Sequence, residues 1–194
     1  MGVLIQRIQG GSKMITMNEM IEGVSSIDET ELVKISDKLW KIGNLDEIKE
    51  TVSPDLFYLH ISINMIGNWQ CDGWWFLICE GADLVPYIST ALDKLNLPEL
   101  KQAFENVINL FPKYTVFKSD DAAYYDICNF LQNAAIKVDD ERLKCIPSEK
   151  RKEMVRQVEQ NMDILEDLTD ALWGYGAECG GWKQVLDYIY SNIS

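Results

Sequence analysis

The chain holds a single histidine among 194 residues, His60, and it stands between Leu59 and Ile61. Base catalysis and metal binding by imidazole both need partner groups within reach. A lone ring among apolar neighbours points to a structural role and leaves no Ser/His/Asp or Cys/His machinery. The five cysteines, Cys71, Cys79, Cys128, Cys145 and Cys179, form no CxxC pair and no Cys/His cluster. Reduced thiols are the expectation, with neither a zinc site nor a disulfide framework. A phosphate-cradling glycine loop, an EF-hand loop and a Glu-x-x-His motif are also missing. Two carboxylates across a cleft can hydrolyse glycosides, but among 31 acidic residues close pairs arise by chance and mark no site. These absences point away from an enzyme and imply no cofactor and no metal.

Long apolar runs are lacking too. Residues 74–79 form one of the longest, far short of the roughly 20 residues a membrane span needs. The opening MGVLIQRIQGGSKMITM has no long apolar core behind a basic head, so no secretory signal is expected. Met1-Gly2 begins like a myristoylation site, but Gln6 stands where that motif wants Ser or Thr. A cytoplasmic location without a membrane partner is the expectation.

Positive charge is scarce. Eighteen Lys and Arg face 31 Asp and Glu, for a net charge of −13. The imbalance is even: residues 1–97 carry 7 basic and 14 acidic side chains, and residues 98–194 carry 11 and 17. Such a surface repels phosphate backbones, whose binding relies on Lys and Arg releasing counterions. Direct nucleic-acid binding is disfavoured, and a basic protein is the partner favoured by electrostatic steering.

What the chain does have is helical periodicity. Residues 1–25, with weak periodicity and a Gly10-Gly11-Ser12 break, read as a loosely attached arm, and residues 26–194 as a single acidic helical domain. Ser26 and Glu29 have capping-box spacing ahead of Leu32, Ile35, Leu39 and Ile42, with Gly43 as the stop. Ser53-Pro54 opens a second helix that Gly67 would end. Residues 84–95 and 97–111 read as a helical hairpin, 120–135 as a further helix and 138–145 as a polar connection. Pro147-Ser148 starts the longest helix, to Trp173, and 182–193 closes the chain. No useful strand alternation appears, so the fold class is all-α, with about seven helices and a long penultimate one.

Two features of this pattern could carry function. At about 100° per residue, Glu159, Asp163, Glu166, Asp167 and Asp170 share an arc of roughly 100°, apart from the apolar stripe of the long helix. They make an acidic ribbon, either a solvated face or a contact for a basic partner. The second feature is NWQCDGWWFLICEG at 68–81. Its aromatics either close a core, with Asp72 capping a short helix across Gly73, or offer a platform through Trp69 and Trp74.

The helix ending at Gly67, the Gly73-Trp74-Trp75-Phe76 turn, the 84–111 hairpin with Ala91-Leu92 and Phe111-Pro112, and Met162-Asp163-Ile164-Leu165 before a Tyr188-Ile189 helix form a recognisable order. Over roughly residues 50–194 it resembles the acidic helical domain of bacterial DNA-mimic proteins. Asp72 replaces the first of two glycines usual there, and the aromatic run ends in Cys79-Glu80 where the family has Asn. The resemblance implies an all-α fold, a capacity to form homodimers and, for the best-understood member of that family, a carboxylate surface that imitates DNA phosphates to occupy a DNA-binding protein. An immunity protein against a basic toxin such as a nuclease would use the same physics. A structural or small-ligand module built on the Trp-rich segment is the alternative of another class.

Overall fold

The computed structural model describes residues 13–24 and 26–193. Ten helices run through them: α1 Met17–Ile21, α2 Glu29–Trp40, α3 Leu45–Thr51, α4 Pro54–Glu80, α5 Val85–Lys94, α6 Pro98–Ile108, α7 Ala122–Gln132, α8 Glu141–Lys144, α9 Ser148–Trp173 and α10 Lys183–Asn192. The class is all-α, as the periodicity predicts. Seven of these are the expected helices, and three short ones, α1, α3 and α8, are additions.

α4 is the central element because its sequence is apolar on every side. Leu56, Phe57, Leu59, Ile61, Ile63, Met65 and Ile66 are all buried, which an amphipathic surface helix would not allow. α2, α5, α9 and α10 pack around it, and α9 also carries α6 and α7 on its flanks. No helix among the described residues is long and apolar enough to cross a membrane.

Four local expectations need correction. α2 starts at Glu29, with the Asp28 carboxylate accepting from the Glu31 N–H at 3.0 Å; Ser26 is not its cap. Both pairs have the same spacing, and the fold uses the later one, with Leu32, Ile35 and Leu39 buried. Gly67 does not end α4, which continues to Glu80 across a kink and, at 27 residues, exceeds α9 by one. Of the loosely attached arm, residues 1–12 and Ser25 lie outside the described residues, but its described part is docked. Ile15 N–H donates to Thr51 O at 3.1 Å and its carbonyl accepts from Ser53 N–H at 2.8 Å. A Thr16/Glu19 capping box then seats α1 with Met17 in the core. The polar connection at 138–145 holds α8 with Leu143 buried. Asp126 secures it by accepting from the Asp139 and Asp140 N–H groups, both at 2.7 Å.

His60 is fully buried where α2 meets α4, edge-on to the Trp40 ring at 4.7 Å. Its Nδ1 faces Ser36 Oγ at 3.3 Å and the Asn64 amide nitrogen at 3.2 Å, and its Nε2 has no partner among the described residues. Burial disfavours the imidazolium and lowers the pKa from 6.5 to about 4. The folded state therefore resists a proton that the unfolded chain takes up. The His60 contribution is full above pH 6.5 and falls as pH drops toward 4, by about 3 kcal/mol in total. Urea unfolding at pH 7, 5.5 and 4 is expected to show His60→Gln losing less stability on acidification than the wild-type chain. Parallel losses would mean that the imidazole is not the group that titrates.

Candidate functional site

Trp69 and Trp74 belong to α4, on either side of Gly73, whose backbone at φ 77° and ψ 177° breaks the helix. Only glycine adopts this conformation readily, and a Cβ there would also meet Glu166 Oε1 at 3.2 Å. A kink inside a helix leaves new N–H groups without i−4 carbonyls, so the second half needs a cap like any helix start. The sequence assigns that cap to Asp72, but Asp72 is exposed and the assignment is corrected. The cap comes from α9, 92 residues further along: Glu166 Oε1 accepts the Trp74 N–H at 2.9 Å. The other carboxylate oxygen accepts Trp69 Nε1–H at 2.7 Å.

Trp74 is the centre of the junction and has no exposed surface. Its Nε1–H donates to Thr169 Oγ1 at 2.7 Å, and that hydroxyl donates onward to Leu165 O at 2.6 Å. Its ring lies 5.4 Å from Phe104 and 6.1 Å from Trp173. Gln70 extends the junction, donating from Nε2 to Trp173 O at 3.0 Å and Gly180 O at 2.8 Å. α4, α6, α9 and the loop before α10 are thus joined at one place.

This geometry divides the seven residues that the sequence suggests for partner contact. Glu159, Asp163, Asp167 and Asp170 are exposed along α9. Glu166 and Trp69 are half-buried and bonded to each other. Trp74 is a core residue, and its assignment to a partner surface is corrected. The exposed aromatics lie elsewhere, most clearly at Tyr175 and Tyr190.

α9 is electrically lopsided. In its first half Glu149 pairs with Lys152 at 2.8 Å and Glu153 with Arg156 at 2.6 Å. From residue 157 to 182 the chain has six acids, Glu159, Asp163, Glu166, Asp167, Asp170 and Glu178, and no Lys or Arg. Among the described residues no ion pair reaches Glu159, Asp163, Asp167 or Asp170.

Two open depressions flank this ridge. The larger, about 710 Å³, is lined by Trp69, Gln70, Glu166, Asp170, Trp173 and Tyr175, together with neighbouring loop residues. The smaller, about 330 Å³, lies between Trp75, Leu131 and Met162 and is bordered by Glu159 and Asp163. Sequence reasoning misses Tyr175, although its place in Gly174-Tyr175-Gly176, just beyond a helix, is a signal for an aromatic presented on a loop. Among the described residues no group of three or more His, Cys, Asp or Glu is placed to hold a metal ion. No protein-family model, curated protein or solved structure matches the chain.

Proposed function

We propose that this protein is a non-enzymatic, acidic interaction domain whose α9 ridge occupies a positively charged surface on another protein. The observation that supports it is the run of four exposed carboxylates on α9 with no counter-charge among the described residues. Surface acids that serve only solubility are commonly interleaved with bases, as they are in the first half of this same helix. An unneutralised ridge on a rigid helix raises the encounter rate with a basic partner and disfavours acidic ones. A DNA-binding regulator is the partner this charge suits best, because such a protein already carries a surface selected for closely spaced negative groups.

The test uses a triple variant, Glu159→Gln, Asp163→Asn and Asp167→Asn, which leaves Glu166 and the kink untouched. Proteins from the host lysate are captured at low salt on wild type and variant, then eluted with a salt gradient or with duplex DNA. A basic protein should be released by both eluents and be held about tenfold more weakly by the variant. Its identity distinguishes a DNA-binding regulator from a basic toxin. Equal retention by the two forms would remove the ridge from the mechanism.

A further inference from the structure

The larger depression combines the negative charge of the ridge with two properties that the ridge alone lacks. It is concave, it has aromatic walls, and among the described residues its charged lining consists of two carboxylates with no Lys or Arg. Both oxygens of Glu166 already accept N–H groups from the α4 kink. Asp170 is different. It is exposed, and no ion pair or side-chain hydrogen bond engages its carboxylate among the described residues. The loop turns close against this residue: a Cβ on Gly174 would fall 2.2 Å from Asp170 Oδ1 and 2.5 Å from the Asp170 carbonyl oxygen. The next residue, Tyr175, has a relative exposure of 110%, so the fold leaves the whole phenol ring uncovered, and Gly174 and Gly176 flank it.

A free carboxylate beside uncovered aromatic surface suits an organic cation. Aromatic faces attract cations through their quadrupole, and the carboxylate supplies the opposite charge. Between the two common biological cations, an open, solvent-facing cleft favours guanidinium. An ammonium ion is compact and strongly hydrated, whereas guanidinium is planar, weakly hydrated, stacks on aromatic rings and pairs with a carboxylate through two parallel N–H donors.

We infer that this cleft is a binding site for a guanidinium group, in which Asp170 pairs with the cation and Trp69 and Tyr175 cover its faces, so that an arginine side chain of the basic partner is anchored there. The inference rests on the reading of a basic partner given above and adds a specific anchor to a diffuse electrostatic surface. Specificity at such interfaces comes from a few buried aromatic and arginine contacts, with the charged rim contributing mainly to rate.

The first probe is N-acetyl-arginine amide, titrated into the isotopically labelled full chain while the indole N–H resonance of Trp69 is followed by NMR. N-acetyl-lysine amide is the comparison ligand. A saturable shift with a dissociation constant of about 1 mM is expected for arginine, and binding about fivefold weaker for lysine. Tyr175→Ala and Asp170→Asn should each weaken arginine binding about five- to tenfold, and Asp167→Asn should leave it unchanged. Both cleft substitutions are at exposed side chains, and unchanged dispersion elsewhere in the spectrum establishes that the variants fold. No saturable shift, or equal binding by wild type and both cleft variants, overturns the site. Equal affinity for lysine overturns the guanidinium assignment. The ridge triple variant separates this inference from the broader reading: it should hold the captured partner about tenfold more weakly yet still bind arginine amide with unchanged affinity. Loss of partner binding without any arginine-amide binding in the wild-type chain would defeat the cleft alone.

Discussion

Trp74→Ala is expected to lower the stability of the fold by about 3–5 kcal/mol, the range for truncating a large buried aromatic side chain. The magnitude follows from what the ring does. It fills space between α4, α6 and α9 against Phe104 and Trp173, with no surface left to water. No single neighbour can swing in to refill that volume, because Phe104 and Trp173 are themselves buried. Its Nε1–H also satisfies Thr169 Oγ1. Trp74→Phe separates these two contributions: it keeps most of the packing and drops the hydrogen bond, so a loss of about 1–2 kcal/mol is expected. Urea unfolding midpoints for the two variants give the comparison. A loss below about 1 kcal/mol for the alanine variant would contradict a core role for Trp74.

The apolar spacing makes seven helices legible, including both ends of α9 to within a residue. Other features are legible but compete with stronger signals. Asn44 and Glu47 have capping-box spacing, and α3 uses it, with each side chain bonded to the other's backbone N–H. The same holds for Thr16 and Glu19 in α1. At Gly67 the residue type is a poor guide. The position is helical, and a Cβ added there would meet no neighbour within 4 Å, so nothing in the fold requires glycine to stop the helix at that point. α4 runs through it, with Met65 and Ile66 buried on one side and the Asn64 and Asn68 amides donating to the carbonyls of His60 and Asn64.

The candidate site is half legible. Helical geometry puts Glu159, Asp163, Glu166, Asp167 and Asp170 on one arc, and they do share that face of α9. What it cannot place is the second half of α4 against the edge of that arc. That contact joins residues 92 positions apart, and no local pattern encodes it. It converts Glu166 from a surface acid to a cap and Trp74 from an aromatic of unknown side to a core residue, while Asp170 and Tyr175 remain free.

Glu166→Ala should therefore cost about 3–5 kcal/mol, although an alanine at a solvated acid on a helix is commonly neutral or mildly favourable. The carboxylate accepts two N–H donors, and hydrogen bonds to a charged group contribute about 1.5–3 kcal/mol each. Without it, the Trp74 N–H at the kink and the Trp69 indole N–H lose their acceptor together. Glu166→Gln preserves size but offers one oxygen in place of two, so one donor is satisfied and the other meets an amide NH2; a loss of about 2 kcal/mol is expected. Asp163→Asn and Asp167→Asn, which neutralise neighbouring acids that have no ion pair among the described residues, should each stay within about 0.5 kcal/mol of wild type. Urea unfolding of the four variants supplies the comparison, and four similar midpoints would show that Glu166 is an ordinary surface acid. The expected ordering bears directly on the function. A Glu166 variant that fails to bind a basic partner reports a disturbed kink before it reports a missing charge, so the carboxylates that can be tested as a binding ridge are the ones that the fold leaves unused.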